Sequence, residues 1–262
     1  MNNLRAWIST IMLICWATHV CGQPNQSGLS LEFVETPQYG SAFKVVVDTL
    51  KFELSIVSTT RASGFSSLEP SLRALASGQL RMGKLTSAAV ILSAGFGSHD
   101  PTSSAGLIVE NHVEVVPLAL KTPWLSGVLC IPRRAAAVIL TVRAYLAAEV
   151  GCQWAVQGRL VSSEYEYETG KDRQDDRKAP RLVACTNRGQ ANLIFFFLSD
   201  ATLRELQRTL TSRICDVALL LTSPEQAGVI TASDVTGSRP RSYGSTDAPI
   251  PAIIVIPNRP AR

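Results

Sequence analysis

Short, continuously apolar runs separated by turn-forming residues constrain the fold of this chain more than any other feature. Ala88–Leu92 and Asp216–Leu221 are two such runs, and each is shorter than a typical buried helix. Short apolar runs bounded by turn residues are typical of strands buried on both faces. Leu182–Thr186 and Ala191–Leu198 flank Asn187–Gly189. This pattern predicts a β-hairpin.

The same pattern recurs along the chain and predicts several further strands. Two of them flank Asn111-His112, which predicts a second hairpin. The further predicted strands are Phe43–Val47, Phe52–Val57, Gly106–Glu110, Val113–Leu118, Gly127–Ile131, Ala136–Val142 and Ala252–Ile256.

Helix signals are fewer than strand signals. Ser66 with Glu69, and Thr202 with Glu205, both have the capping-box spacing and precede leucines at helical spacing. Ala144–Val150 is compatible with a short helix. The sequence therefore predicts an α+β fold, a single domain with a large mixed β-sheet and a few packing helices.

The N-terminal segment 1–22 has the three parts of a secretory signal peptide. Arg5 gives the positive charge, Ile8–Val20 is an apolar run, and Val20-Cys21-Gly22 suits a signal peptidase. The apolar run is shorter than the roughly 20 residues of a comfortable membrane span. We therefore expect no stable membrane span after cleavage, and a secreted or periplasmic domain over residues 23–262. An uncleaved anchor and lipid attachment at Cys21 are the alternatives.

Two of the six cysteines lie in the signal segment. An even number of cysteines in an exported chain is typical of disulfides. Four buried free thiols are the alternative, because cysteine also packs as a small apolar residue. The cysteines of the exported part are Cys130, Cys152, Cys185 and Cys215.

Charge and motifs exclude several classes of function. The net charge of +4 is spread along the chain without basic–aromatic clusters, so no nucleic-acid partner is expected. Phosphate-loop, zinc-protease and serine-hydrolase motifs do not occur. We therefore expect no cofactor, and the spacing of cysteine, histidine and aspartate predicts no metal site.

Residues 164–180 form a charged loop, either a flap over a site or a solvated excursion.

Seven segments, in order from Ala88 to Ile256, resemble the phosphodiester glycosidase family. Ala88–Phe96 resembles a family strand that ends in an Asn-Gly-Gly-Phe turn, and Ala155–Val161 resembles the "A-x-Q-S-G-P-x-L-V" segment. Cys215–Leu221 resembles the strand that precedes the family's "L-D-G-G-x-S". The other segments are Ser104–Asn111, Ser126–Ile131, Ala179–Arg181 and Pro249–Ile256.

The resemblance implies an exported protein that hydrolyses or binds sugar-phosphodiester glycans. Arg181 aligns with a family arginine, and a guanidinium fork matches two phosphate oxygens. The candidate catalytic residues are Arg181, from the resemblance, and Glu225 and His99, from their own chemistry, and His99 precedes Asp100. The substrate-binding residues implied are Ser93, Gly95, Phe96, Gln157, Thr222 and Ser223.

Two positions depart from the family pattern. Ser93 stands where the family has asparagine, and Thr222-Ser223-Pro224 stands where it has Asp-Gly-Gly. Proline fixes φ and removes an N–H donor, which impairs a backbone phosphate cradle. Glu225 follows, either as a carboxylate that replaces the lost aspartate or as an exposed loop residue. The alternative is therefore a non-catalytic relative, a pseudoenzyme that binds glycan or phosphate in the cell envelope.

Overall fold

The computed structural model describes residues 28–36, 40–59, 71–72, 88–97, 104–148, 151–161, 177–231 and 241–260. The predicted signal peptide, His99 and Asp100 lie outside the described residues. So do residues 164–176 of the charged loop and most of the helix expected after Ser66. These predictions stay predictions.

Strands make up most of the described chain. The helices are α1 (Val142–Ala147) and α2 (Leu203–Arg213), with a 3-10 turn at Pro224–Gln226. The strands are β1 (Leu29–Thr36), β2 (Gly40–Asp48), β3 (Ser55–Ser58), β4 (Ala88–Ala94), β5 (Ile108–Glu110), β6 (Val113–Val116), β7 (Gly127–Pro132), β8 (Val138–Thr141), β9 (Cys152–Val161), β10 (Ala179–Thr186), β11 (Asn192–Ala201), β12 (Val217–Leu220), β13 (Gly228–Thr231), β14 (Arg241–Gly244) and β15 (Ala252–Pro257).

Two antiparallel sheets replace the large mixed sheet predicted from the sequence. The ten-stranded sheet has the order β1-β2-β11-β10-β12-β9-β5-β6, with β7 on β9 and β8 on β7. The five-stranded sheet has the order β14-β13-β4-β15-β3. Every strand pairing among the described residues is antiparallel. The α+β prediction is wrong, and the fold is mainly β. Apolar runs identify strands, but they carry no information on strand direction or on the division into sheets.

The main core contains apolar side chains from both sheets. Val45 and Phe195 of the large sheet and Leu92 and Ile254 of the small sheet belong to one buried cluster. Burying each such side chain contributes about 1.5–3 kcal/mol. A second cluster lies on the strands of the large sheet and includes Leu206 of α2. Because both faces of the central strands are covered, their sequences are continuously apolar.

The α2 helix begins as its sequence predicts. The Thr202 hydroxyl accepts from the Glu205 N–H at 3.0 Å, and the Glu205 carboxylate accepts from the Thr202 N–H at 2.9 Å. This reciprocal capping box satisfies donors that a helix start leaves open. It fixes α2 directly after β11.

Two disulfides cross-link the large sheet. Cys130–Cys152 joins β7 to β9, and Cys185–Cys215 joins β10 to the segment between α2 and β12. Sequence alone left three pairings and a free-thiol alternative, and the structure selects this pairing. The second disulfide fixes the C-terminal end of α2 against the sheet.

Several segment boundaries differ from the sequence-based expectations. The sequence of residues 23–31 predicts a polar lead, whereas Leu29–Leu31 belongs to β1. Residues 232–250 are rich in Gly, Ser, Pro and Arg and predict a loop, whereas Arg241–Gly244 forms β14. Ala179 and Pro180, at the end of the predicted charged loop, already belong to β10. Each of these strands pairs through its backbone, so polar side chains do not prevent its formation.

Candidate functional site

A cleft of about 750 Å³ opens beside the N-terminal part of β10. Its wall is built from the beginning of β10, the turn after β12, and the turn after β4. The lining residues are Phe96, Trp124, Arg159, Arg177, Lys178, Ala179, Pro180, Arg181, Leu203, Leu220, Ser223, Pro224, Glu225 and Ser245.

Positive charge dominates this lining. Arg159, Arg177, Lys178 and Arg181 contribute cations, whereas Glu225 contributes the anionic side chain. The Lys178 ammonium also lies 3.5 Å from the carboxylate of Asp200, at a half-exposed position where such a pair is weak. Field lines concentrate in a concave site, so the excess of cations favours anionic ligands.

Arg181 is held rigidly in the cleft wall. Its side chain is 4% exposed. Its Nε donates to the Ala201 carbonyl at 3.2 Å, and one Nη donates to the Arg177 carbonyl at 3.3 Å. The register between β10 and β11 shifts between Ala179 and Arg181, as at a β-bulge. Bulges re-aim side chains near functional sites.

The turn after β12 presents Ser223, Pro224 and Glu225 to the cleft. Gln226 fixes this turn. Its side-chain oxygen accepts from the Gly97 N–H at 3.1 Å, and its amide nitrogen donates to the Pro249 carbonyl at 2.8 Å. Glu225 itself is exposed. Sequence reasoning missed Gln226, because its partners are distant in the chain.

An aromatic pair forms another part of the wall. The rings of Phe96 and Trp124 lie 5.0 Å apart at 73°, an edge-to-face arrangement. Phe96 is 7% exposed, whereas Trp124 is 43% exposed. Sequence reasoning predicted Phe96 but missed Trp124. The available signal was a tryptophan after Pro123 in the loop between β6 and β7.

Four of the predicted site residues line the cleft, namely Arg181, Phe96, Ser223 and Glu225. The Ser93 hydroxyl bonds the backbone of Gly228, and Gln157 is 1% exposed with its side-chain amide bonded to backbone groups. Neither of them lines the cleft. Their predicted contact with substrate stays a prediction.

Gly95 and Thr222 adjoin the cleft without lining it. Gly95 has a φ of +78°, and a Cβ there would lie 3.0 Å from Cγ of Pro251. The turn therefore favours glycine, which adopts this backbone conformation without strain. Thr222 is 1% exposed, and its hydroxyl has no hydrogen-bond partner among the described residues.

The described ranges contain no group of three or more His, Cys, Asp or Glu residues that could hold a metal ion. They also contain no helix long and apolar enough to span a membrane.

The fold is similar to that of several solved structures, two of which are described here. One is the catalytic domain of zebrafish N-acetylglucosamine-1-phosphodiester alpha-N-acetylglucosaminidase, auto-inhibited by its pro-peptide. It has a TM-score of 0.59 and 14% identity, with 92% of this chain and 88% of that chain covered. The other is a hypothetical protein from Synechocystis, with a TM-score of 0.57 and 12% identity over 87% of this chain and 62% of that chain.

At these identities the likeness concerns the fold alone. It supports a distant fold relationship to these two structures and nothing further. No protein-family model matches the chain, and no curated protein matches it.

Proposed function

We propose that the cleft binds a phosphate-bearing glycan, with a sugar phosphodiester as the ligand class. The observation that carries this proposal is the combination of four cationic side chains and an exposed tryptophan in one concave wall. Guanidinium groups match phosphate oxygens in geometry and charge. Aromatic faces suit the apolar face of a sugar ring.

The fold likeness supports the same ligand class. The zebrafish enzyme is named for action on an N-acetylglucosamine-1-phosphodiester. In this chain Arg177 and Lys178 are exposed at the cleft, so a phosphate would meet them without a large movement. Arg181 lies deeper and is already ordered by two carbonyls. An ordered cation loses little entropy when a ligand binds.

Hydrolysis of the bound phosphodiester is a second candidate function, favoured by the position of Glu225. Its carboxylate lies in the same lining as the cations. A carboxyl group can act as acid or base in cleavage of a sugar–phosphate bond. Water would add across the bond, leaving a free sugar and a phosphate monoester stabilised by the cations. The non-catalytic alternative keeps the binding step and lacks this chemistry.

We also propose that the protein acts outside the cytoplasm. Disulfides persist in oxidising compartments, and the two disulfides support an extracytoplasmic domain. Glycans and phosphate-linked sugars outside the cytoplasm are then the available ligands. A signal peptide over 1–22 remains the sequence-based basis for export.

The test uses a chromogenic N-acetylglucosamine phosphodiester and the protein starting at Gln23. Binding without turnover is expected to raise the melting temperature of the protein, and turnover in addition would favour the hydrolase. Arg177→Ala should weaken binding, whereas Arg188→Ala, also exposed but outside the cleft lining, should not. Any turnover should fall in Glu225→Gln and Arg181→Ala. No thermal shift and no turnover would contradict the proposal.

A further inference from the structure

Trp124 is an exposed aromatic side chain on a rigid support. Pro123 and Trp124 are the central residues of a turn in which the Leu125 N–H donates to the Thr122 carbonyl at 2.9 Å. Proline is favoured at the first central position of such turns, because its φ is already set. Trp124 lines the cleft and packs edge-to-face on Phe96. The turn therefore fixes the backbone from which the indole projects.

Gln157 of β9 holds the same loop from inside the protein. Its side-chain oxygen accepts from the N–H groups of Leu107 and Ala119, each at 3.0 Å. Its side-chain nitrogen donates to the carbonyls of Leu125 at 2.8 Å and Ala119 at 3.2 Å. These four bonds use both donors and two acceptor sites of the amide. One buried side chain thus ties the residue before β5, the loop at Ala119 and the end of the Trp124 turn together.

The Gln157 network orders the loop in advance, so the loop loses less conformational entropy when a ligand binds. Gln157 is 1% exposed, so its bonds are made inside the protein, away from competing water. A buried, fully bonded amide locks the loop before a ligand arrives. Binding then requires less ordering of the tryptophan, which is the usual gain from preorganisation.

We propose that Trp124 is the sugar-stacking platform of the cleft and that Gln157 is its positioning residue. This inference rests on the proposed function, because it assigns the sugar and the phosphate of one ligand to different parts of that cleft. Cations such as Arg177 and Lys178 receive the phosphate. Trp124 receives the sugar ring.

The chemistry of a pyranose fits this assignment. One face of an N-acetylglucosamine ring presents several C–H groups, and an aromatic face carries partial negative charge. C–H groups on such a face gain dispersion and weak electrostatic attraction. Phosphate gains nothing from the face of the indole, which carries partial negative charge. The two parts of the ligand are therefore separable by mutation.

The first experiment compares two probes, N-acetylglucosamine 1-phosphate and inorganic phosphate, by calorimetric titration of the protein starting at Gln23. In the wild type the sugar phosphate should bind more tightly than phosphate. Trp124→Ala should weaken sugar-phosphate binding about tenfold and leave phosphate binding unchanged. Leu120→Ala is the matched control, because Leu120 is 65% exposed in the same loop and does not line the cleft. It should change neither affinity.

The outcomes separate this inference from the proposed function. Equal affinity of the wild type for both probes would overturn the platform and leave the cationic cleft standing. Unchanged sugar-phosphate affinity in Trp124→Ala would do the same. Failure of the wild type to bind either probe would overturn both proposals.

The second experiment tests positioning by Gln157. Gln157→Leu, like Trp124→Ala, should lose the higher affinity for the sugar phosphate than for phosphate. It should keep its affinity for phosphate. It should also show stronger acrylamide quenching of tryptophan fluorescence than the wild type. Trp154 is 5% exposed, so quenching of the protein starting at Gln23 reports mainly on Trp124. Gln153→Leu is the control on the same strand, where Gln153 donates to Glu53 at 3.3 Å. If Gln157→Leu keeps the wild-type difference in affinity between the sugar phosphate and phosphate, the positioning role is overturned.

A measurement on the wild type keeps the positioning role testable if Gln157→Leu does not fold. The Ala119 N–H lies in a loop outside the strands, yet it donates to a buried oxygen. Its hydrogen exchange should therefore be slow, comparable with that of Leu107 and slower than that of Leu120. Fast exchange at Ala119 would overturn the proposal that Gln157 fixes this loop.

Discussion

The Ser93 hydroxyl bonds both backbone polar groups of Gly228. It accepts from the Gly228 N–H at 2.9 Å and donates to the Gly228 carbonyl at 3.2 Å. These bonds extend the pairing of β4 with β13 beyond Val229↔Leu92. Ser93 is fully buried, so both bonds lie away from water.

Ser93→Ala should therefore lower the free energy of unfolding by about 1–3 kcal/mol, because it leaves a buried N–H and a buried carbonyl unpaired. Urea unfolding measures this loss, and Ser242→Ala at an exposed position of β14 is the control. Affinity for N-acetylglucosamine 1-phosphate should not change. A Ser93→Ala protein of normal stability with weakened ligand binding would contradict this structural role.

Thr222→Val should stabilise the protein. The Thr222 hydroxyl is buried and has no hydrogen-bond partner among the described residues. Replacing it with a methyl group removes a desolvation penalty, and we expect a gain of about 1 kcal/mol in the free energy of unfolding. The urea midpoint measures it. A loss of stability would show that the hydroxyl is bonded, and a loss of ligand affinity would support the substrate contact predicted from the sequence.

The disulfide between Cys185 and Cys215 should contribute substantially to stability. The two cysteines are separated by 30 residues. Cross-linking a loop of this length stabilises a protein by about 3–4 kcal/mol, mainly by restricting the unfolded chain. The double variant Cys185→Ser/Cys215→Ser should lose this amount in urea unfolding. Titration of the denatured protein that starts at Gln23 should find no free thiol, and free thiols in it would contradict the pairing.

Tyr145 should make stability depend on alkaline pH. Partial burial, and then the carboxylate of Glu114, raise the pKa of Tyr145 above its ordinary value of 10.0. Above that pH the unfolded chain loses the phenol proton while the folded chain keeps it. The folded state then binds more protons than the unfolded state. The contribution of Tyr145 to stability is therefore complete below pH 10.0 and falls as pH rises through the folded pKa.

The measurement is urea unfolding of the wild type and of Tyr145→Phe from about pH 9 to about pH 11. The wild type should lose stability faster than Tyr145→Phe over this range. Identical slopes would mean that the phenol has the same pKa in both states.

Local features of the fold could be predicted from the sequence. The apolar runs locate the hairpin of β10 and β11, and the spacing of Thr202 and Glu205 locates the start of α2. These signals succeed because residues close in sequence determine them. The division into two sheets depends on pairings such as that of β4 with β15, which are far apart in sequence. Strand β14 was missed because its residues are largely exposed and its pairing uses the backbone.

The candidate site was only partly predictable for the same reason. Arg181 and Phe96 were found through motif resemblance, and both line the cleft. Gln157 is predicted to contact substrate, and that contact stays a prediction, while the structure adds the bonds of its side chain to Ala119 and Leu125. A motif match identifies a residue type but not the groups that the residue contacts. Only the packed structure distinguishes a ligand contact from a support.

We propose above all that the cationic cleft binds the phosphate of a glycan. Calorimetric titration of the protein starting at Gln23 with N-acetylglucosamine 1-phosphate and with neutral N-acetylglucosamine tests it most directly. The phosphorylated sugar should bind at least about tenfold more tightly, and its affinity should fall as salt rises and in Arg177→Ala. Equal affinities for the two sugars, or no binding of the phosphorylated one, would contradict the claim.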